Sequence, residues 1–483
     1  MNTTNLRKFK GEIEQYLATE QKTFDTKMAR LFDSLRIGTL MALTKIRKQE
    51  GYHALALLFT LINIPFLKIH TVRQLCRRQY LNWSESQKDT LYRFKSRGYR
   101  WRSFLYKVLQ RLVEILQLEK LPLEEKYFII DDTLIAKRGK KMENVSYIYD
   151  HYQSRSILGY NIVALGLFTG RSFFPVDFSF RFGKKRDKRS PVKIGDPRSI
   201  SGQMSFEAAN QNKIDLALQM IHRAWSAGIR AGYVLFDSWF AWPKTIQAIR
   251  NIDPALHVIC RLKRSKVRYL YQGKPYTLED LYQKIRHRMR KDARLGILCK
   301  RMSVQLTDGG PTVALVFTRG YQEPEPEQPA GARKNKKPHW VAFLSTDISL
   351  QSSTIIKKYT KRWTVEVFFK ECKQLLGLGK EQAQEFNAQV FSVSAVWLRY
   401  NLLSYLNHNE NYPDTLGVLF DQIADASSLV TYSQRLWEFF SGLFRISFAT
   451  LFDLFKIEED FPSYVDVIGQ ALSDFLPLRG CET

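Results

Sequence analysis

Tyr359, Arg362, Glu366 and Lys373, in the segment YTKRWTVEVFFKECK, stand 3, 4 and 7 residues apart. On an α-helix turning ~100° per residue they point to about 0°, −60°, −20° and −40°, one narrow stripe. Val365, Phe368, Phe369, Cys372, Leu375 and Leu376 fall between about 160° and 280° on the same wheel. The spacing predicts one helix with an apolar face turned to the core. Its other face carries a carboxylate flanked by two cations and a phenol. A solvated face of an ordinary amphipathic helix has the same pattern, so the stripe gains meaning only through its partners.

Two further acids are such partners. Asp131 closes the apolar run Tyr127-Phe-Ile-Ile, and Asp237 closes Tyr233-Val-Leu-Phe and is followed by Ser238-Trp-Phe. Both runs predict buried strands, and strand ends in α/β sheets are where catalytic side chains tend to be held. Either acid alone could be a cap or a turn starter. With Glu366 they could hold two divalent cations. Hard cations take oxygen ligands, and Mg²⁺ uses one or two carboxylates, leaving positions for water and phosphate. Two ions ~4 Å apart can activate the attacking oxygen and stabilise the leaving one in phosphodiester cleavage. Structural zinc has no support: the five cysteines form no CxxC pair, and none of the eight histidines lies at ligand spacing beside them.

The Y-x2-R-x3-E-x6-K spacing of Tyr359, Arg362, Glu366 and Lys373 resembles the YREK signature of bacterial insertion-sequence transposases with a DDE triad on an RNase H-like fold. IIDDT (Ile129–Thr133) and VLFDSWF (Val234–Phe240) are similar to that family's first and second aspartate motifs, and the order acid, acid, insertion, glutamate agrees. The resemblance covers about residues 120–400. It implies a metal-binding catalytic triad of Asp131, Asp237 and Glu366, with Asp131 rather than its neighbour Asp132 in the catalytic position. It implies two Mg²⁺ ions, with Mn²⁺ as a substitute. Tyr359, Arg362 and Lys373 would hold phosphates of the DNA end. Trp340 would stack on a flipped base beside the cut, with Trp363 the second aromatic candidate. The implied enzyme binds terminal inverted repeats as a homodimer on double-stranded DNA, cuts them, and joins the 3′-OH ends to target DNA without a covalent protein–DNA intermediate. The alternatives are a stand-alone RNase H-like nuclease, for which the phosphate-holding cluster would be superfluous, and a domesticated DNA-binding protein, which predicts erosion of the acids.

The elements that must position these residues can be read along the chain. Leu31, Leu35, Leu40, Leu55, Leu58, Leu61 and Ile64 recur at roughly helical spacing, so residues 1–120 predict a helical DNA-binding domain. Between Arg73 and Arg102 basic residues interleave with Tyr80, Trp83, Tyr92, Phe94, Tyr99 and Trp101, a texture suited to phosphate contact and stacking. Residues 121–263 predict the first part of an α/β catalytic core. It contains a meander of strands at Val145–Tyr149, Gly159–Phe168 and Ser172–Phe180, one helix from about Ser205 to Ala227, and a strand at His257–Leu262. A β-rich insertion is expected over 264–345, with strands at Ser303–Leu306, Thr312–Thr318 and Trp340–Leu344. It also holds a Pro/Glu-rich loop (Glu323 to Gln328) and a basic run (Arg333 to Lys337). Residues 346–400 complete the core with the glutamate helix, and 401–483 predict an acidic helical domain suited to dimerisation.

The chain of 483 residues carries 74 Lys+Arg against 47 Asp+Glu, a net charge of +27. With 45% hydrophobic and 25% charged residues it is globular rather than disordered. The charge is uneven: residues 401–483 hold 4 basic and 12 acidic groups, leaving 70 against 35 in the first 400. A field of that size attracts polyanions, nucleic acid above all. Lys137, Arg138, Lys140 and Lys141, and the run Lys184 to Arg189, are further backbone-contact candidates. An RNA-binding module would fit the charge but leave the acids unexplained. The longest apolar run, Ala54 to Leu67, is short of the ~20 residues of a membrane span. Together with an amino terminus unlike a secretory signal, it predicts a cytoplasmic, nucleoid-associated protein.

Overall fold

The computed structural model describes residues 27–77, 87–150, 153–183, 198–307, 309–320, 340–409 and 415–427, with Lys185, Arg186, Lys188 and Asp196 besides. The expected Pro/Glu loop, the basic run after it and most of the acidic C-terminal segment lie outside these residues, as do Arg78, Tyr80 and Trp83.

The apolar spacing of the first hundred residues produces helices α1 (Lys27–Ser34), α2 (Ile37–Leu43), α3 (Ala54–Asn63), α4 (Val72–Arg77), α5 (Lys88–Ser96) and α6 (Trp101–Ile115). Of the leucines that set the pattern, Leu31, Leu35, Leu40, Leu58 and Leu61 are buried. The basic–aromatic segment divides by side. Phe94, Tyr99 and Trp101 are core, Arg73, Arg77, Lys88, Arg93, Arg97 and Arg100 are exposed, and Arg102 is buried against Asp177 at 3.3 Å and Glu207 at 3.2 Å.

Strands β1 (Tyr127–Ala136), β2 (Ser146–Asp150), β3 (Arg155–Phe168), β4 (Phe173–Arg181) and the short β5 (Lys185–Arg186) follow. β1 pairs antiparallel with β3, and β3 with β4. Gly159 is where β1, β2 and β3 crowd together: a Cβ there would lie 2.1 Å from the Ile135 carbonyl oxygen. Where one helix was expected to run to Ala227 there are two, α7 (Ile200–Asn210) and α8 (Lys213–Ser226). The break falls at Asn212, whose side-chain oxygen accepts the N–H groups of Ile214 and Asp215 and so caps the second helix.

β6 (Tyr233–Phe236) then pairs parallel with β1, and β7 (His257–Leu262), after helix α9 (Pro243–Arg250), pairs parallel with β6. Three strands in antiparallel succession followed by two parallel ones, ordered β4-β3-β1-β6-β7, make an α/β, RNase H-like core. The segment after β7 adds to the same sheet. It supplies β8 (Arg268–Tyr271), β9 (Lys274–Thr277), helix α10 (Leu278–Ile285), β10 (Arg290–Lys291), β11 (Leu298–Leu306), β12 (Thr312–Arg319) and β13 (Trp340–Ser345). β13 lies directly against β7, with β12, β11, β8 and β9 outward from it.

The chain closes over the sheet with α11 (Ser352–Thr360), α12 (Trp363–Gln374), α13 (Phe386–Asn409) and a further helical stretch over 416–427. α13 is hydrophobic nearly all round and buried along most of its length, as a helix packed on both sides must be. Its Phe391 meets Trp101 of α6 at 5.0 Å, and its Trp397 meets Phe178 of β4 at 5.3 Å. Among the described residues no helix is long and apolar enough to cross a membrane.

Candidate active site

Asp131 does not end its strand, as its apolar run suggested; β1 continues to Ala136 along β3. What ends at that level is the neighbour. Ile130 pairs with Phe236, the last residue of β6, so Asp131 on β1 is level with Asp237, the first residue past the end of β6, where neighbouring strands run ~4.8 Å apart. Glu366 comes from the first turn of α12, where the positive end of the helix dipole favours a carboxylate.

Arg362 ties the helix to the strand. It is 5% exposed, and donates from Nη1 to Asp131 Oδ2 at 3.2 Å and from Nη2 to Glu366 Oε1 at 2.6 Å. Burial alone would lower its pKa, but the Tyr359 phenol and the Asp131 and Glu366 carboxylates outweigh that and hold it above its ordinary value. Asp131 is pushed up to about 7. Burial is the main cause, Arg362 opposes it, the carboxylates of Asp132 and Glu366 add to it, and the Asp132 N–H bonded to Asp131 Oδ1 at 2.8 Å works against it.

The two adjacent acids face opposite ways, as successive strand residues do. Asp131 looks towards Arg362 and Glu366. Asp132 accepts from Asn161 Nδ2 and Lys213 Nζ, each at 2.7 Å.

The remaining expected site residues are dispersed. In place of one helix from Tyr359 to Lys373 there are two, joined at Lys361 and Arg362 by tight bonds such as Arg362 N–H to the Tyr359 carbonyl at 2.9 Å. The tighter i→i+3 turn rotates Tyr359 away from the stripe. It is 1% exposed and packs on Phe343 at 4.9 Å, so here it buttresses Arg362, whose guanidinium lies 5.8 Å from its ring centroid. Lys373 is exposed in the last turn of α12, and Trp363 is half-buried in its first.

Trp340 starts β13, at the sheet edge towards which β6 and β7 run. It is buried, stacked on Tyr282 at 4.5 Å with Arg264 over it at 4.2 Å, and donates no free face to a base in this state. Lys137, read as a backbone contact, is buried and donates to the carbonyls of Gly379 and Glu381 at 3.1 and 2.6 Å. Sequence reading passed over Asn161, Lys213 and the exposed Trp239, although Trp239 lies two residues beyond Asp237.

Among the described residues no three His, Cys, Asp or Glu side chains converge closely enough to cage a metal ion. Arg362 occupies the space between Asp131 and Glu366. The donor chemistry nonetheless suits magnesium: three carboxylates supply hard oxygens and leave room for water and phosphate.

An α/β sheet of this strand order, with one acid on a strand, a second just past the end of its parallel neighbour and a third on a later helix, is the RNase H-like arrangement. Over residues 53–294 the chain matches the family described as DDE superfamily endonuclease, and over 196–402 the one described as transposase DDE domain. The first match spans half of the sequence, and the chain belongs to the DDE superfamily. The first span contains Asp131 and Asp237, the second Asp237 and Glu366. No curated protein matches the sequence.

Proposed function

We propose that the chain is a DNA transposase that uses Asp131, Asp237 and Glu366 to cut the terminal inverted repeats of its own element and to join the 3′-OH ends to target DNA. The observation that carries this reading is the level of Asp131 with Asp237 on parallel neighbours, bridged to Glu366 by Arg362. Two Mg²⁺ ions, held by the three carboxylates, would activate the attacking oxygen and neutralise the leaving one. Arg362 keeps strand and helix in register, and its guanidinium would be placed to pair with a phosphate of the bound DNA. Lys373 and the exposed arginines of α5 and the turn after it extend the positive surface along the DNA. A second copy on the paired end completes the assembly, and the protein works where the DNA is.

The test uses the DNA flanking the gene, which supplies the inverted repeats. Purified protein should nick an end-bearing duplex in Mg²⁺ or Mn²⁺ and not in EDTA. Asp131→Ala, Asp237→Ala and Glu366→Ala should each bind that duplex but leave it uncut. Cutting by Glu366→Ala at the wild-type rate would remove the glutamate from the site.

A further inference from the structure

Arg399 is the single Arg, Lys, Asp or Glu of α13, set in the run Ala395-Val-Trp-Leu-Arg-Tyr-Asn-Leu-Leu. It is 7% exposed. A buried cation is destabilising unless other groups oppose its charge. Burial pushes its pKa down to about 9, and among the described residues the Cys372 thiol acts the other way.

What Arg399 holds are backbone oxygens at the ends of two helices. Nε donates to the Ile62 carbonyl at 2.9 Å and Nη2 to that of Leu61 at 2.6 Å, both in the last turn of α3. Nη1 donates to the Leu376 carbonyl at 2.9 Å, just past the end of α12. The last carbonyls of a helix lack intrahelical partners and form its negative end, which suits a cation. For Leu61 the reason is local: the residue four places on is Pro65, which has no N–H to give. At α12 the chain turns away at Gly377, whose φ is 85°. One planar guanidinium therefore joins an N-terminal helix to the helix that carries Glu366.

Packing leaves this joint open on one side. A cleft of about 400 Å³ runs along the seam, with Leu61, Pro65, Gly377 and Arg399 in its wall. The neighbouring Tyr400 grips α12 by itself, its Oη donating to Glu371 Oε2 at 2.9 Å. α12 is thus tied at its start to Asp131 through Arg362, and at its end to α3 through Arg399. Glu366 lies between the two ties, ~15 Å from the second at 1.5 Å per residue.

We infer that Arg399 is a positioning residue for DNA cutting: it fixes the far end of the glutamate helix to α3, so that Glu366 keeps its place against Asp131 while the N-terminal helices are seated. The inference rests on the reading of Glu366 as one of three metal-holding acids. It gives the N-terminal helices a second task besides meeting DNA, and it accounts for a charge in an otherwise apolar helix.

Hydrogen–deuterium exchange of the full chain in EDTA, without DNA, reads the joint. In Arg399→Met the amides of α12 and of the last turn of α3 should exchange about tenfold faster or more, as loss of a hydrogen bond to a charged group implies. Those of β1 and β3 should not change. A residue needed for overall stability alone would speed all four elements together, and that result would overturn the inference. Tyr400→Phe should loosen α12 and leave α3 as it was. Cutting of an end-bearing duplex supplies a second readout. The Mg²⁺ concentration for half-maximal rate should rise about tenfold in Arg399→Met, the usual effect of losing a group that orients a metal ligand. Wild-type exchange in both helices, or an unchanged Mg²⁺ requirement, would also overturn the inference. If Arg399→Met does not fold, Arg399→Lys carries the test, because an ammonium lacks the planar fork that spans two helix ends. Wild-type protection of both helices in that variant would refute the joint. A wild type that cuts no end in Mg²⁺ would overturn the DNA-cutting reading and the positioning role with it, and the exchange data separate that case from a failed joint.

Discussion

Replacing Asp131 by Asn should stabilise the metal-free protein, and the gain should depend on pH. In the folded chain this carboxyl titrates at about 7 instead of its ordinary 3.8, chiefly because it is buried. At ~1.4 kcal/mol per tenfold step, keeping it ionised costs the fold up to ~4 kcal/mol. The folded state binds the proton more tightly than the unfolded one. Its contribution is therefore complete below about pH 4, declines as pH rises, and is lost above about pH 7. Asn stays neutral throughout. Its oxygen can replace only one of the two hydrogen bonds that Asp131 accepts, from Arg362 and from the Asp132 N–H, which costs ~1 kcal/mol at every pH. Urea unfolding in EDTA from pH 4.5 to 8 should show the variant gaining on the wild type by ~2–4 kcal/mol across that window. Added Mg²⁺ should then stabilise the wild type and not the variant, since only an ion that binds the folded state shifts the equilibrium. Parallel pH profiles for the two proteins would refute the reasoning, because Asp131 would then be titrating as an exposed acid.

Trp340→Ala should lower stability by ~3–5 kcal/mol, the cost of emptying a buried aromatic site, because the ring is packed between Tyr282 and Arg264; an unchanged melting curve would contradict that packing. Asn212→Ala should cost ~1 kcal/mol through loss of the α8 cap, read by the same melts. Changing the exposed Arg93, Arg97 and Arg100 together to Ala should reduce the slope of log affinity against log salt by ~2.7, at ~0.9 per phosphate contact. An unaltered slope in a filter-binding titration would place that face away from the DNA.

Much of the fold was legible because its strands are apolar runs bounded by turn residues. His257–Leu262 has the expected limits, and Tyr233–Phe236 stops one residue before the acid. Asp131 and Asp237 were conspicuous for the same reason, as charges closing such runs. Helix breaks were harder. Lys361 and Arg362 are good helix formers, and nothing in their types signals a tightened turn. The wheel drawn through that turn put Tyr359 on the polar stripe, whereas it is buried. Trp340 and Lys137 belong to types common at DNA surfaces, and only packing reveals that their faces are covered. The surroundings of Asp132 were invisible for another reason. Asn161 and Lys213 reach it from β3 and α8, 29 and 81 residues along the chain, and neither neighbourhood has a motif.

The central claim, that Asp131, Asp237 and Glu366 hold metal together, is tested most directly by letting the metal mark its own surroundings. Fe²⁺ loaded in place of Mg²⁺, with ascorbate and peroxide, cuts nearby backbone through locally generated radicals. The account predicts protein fragments ending near residues 131, 237 and 366, suppressed by excess Mg²⁺ and lost together in Asp131→Ala. Cuts elsewhere in the chain, or the same cuts in Asp131→Ala, would contradict it.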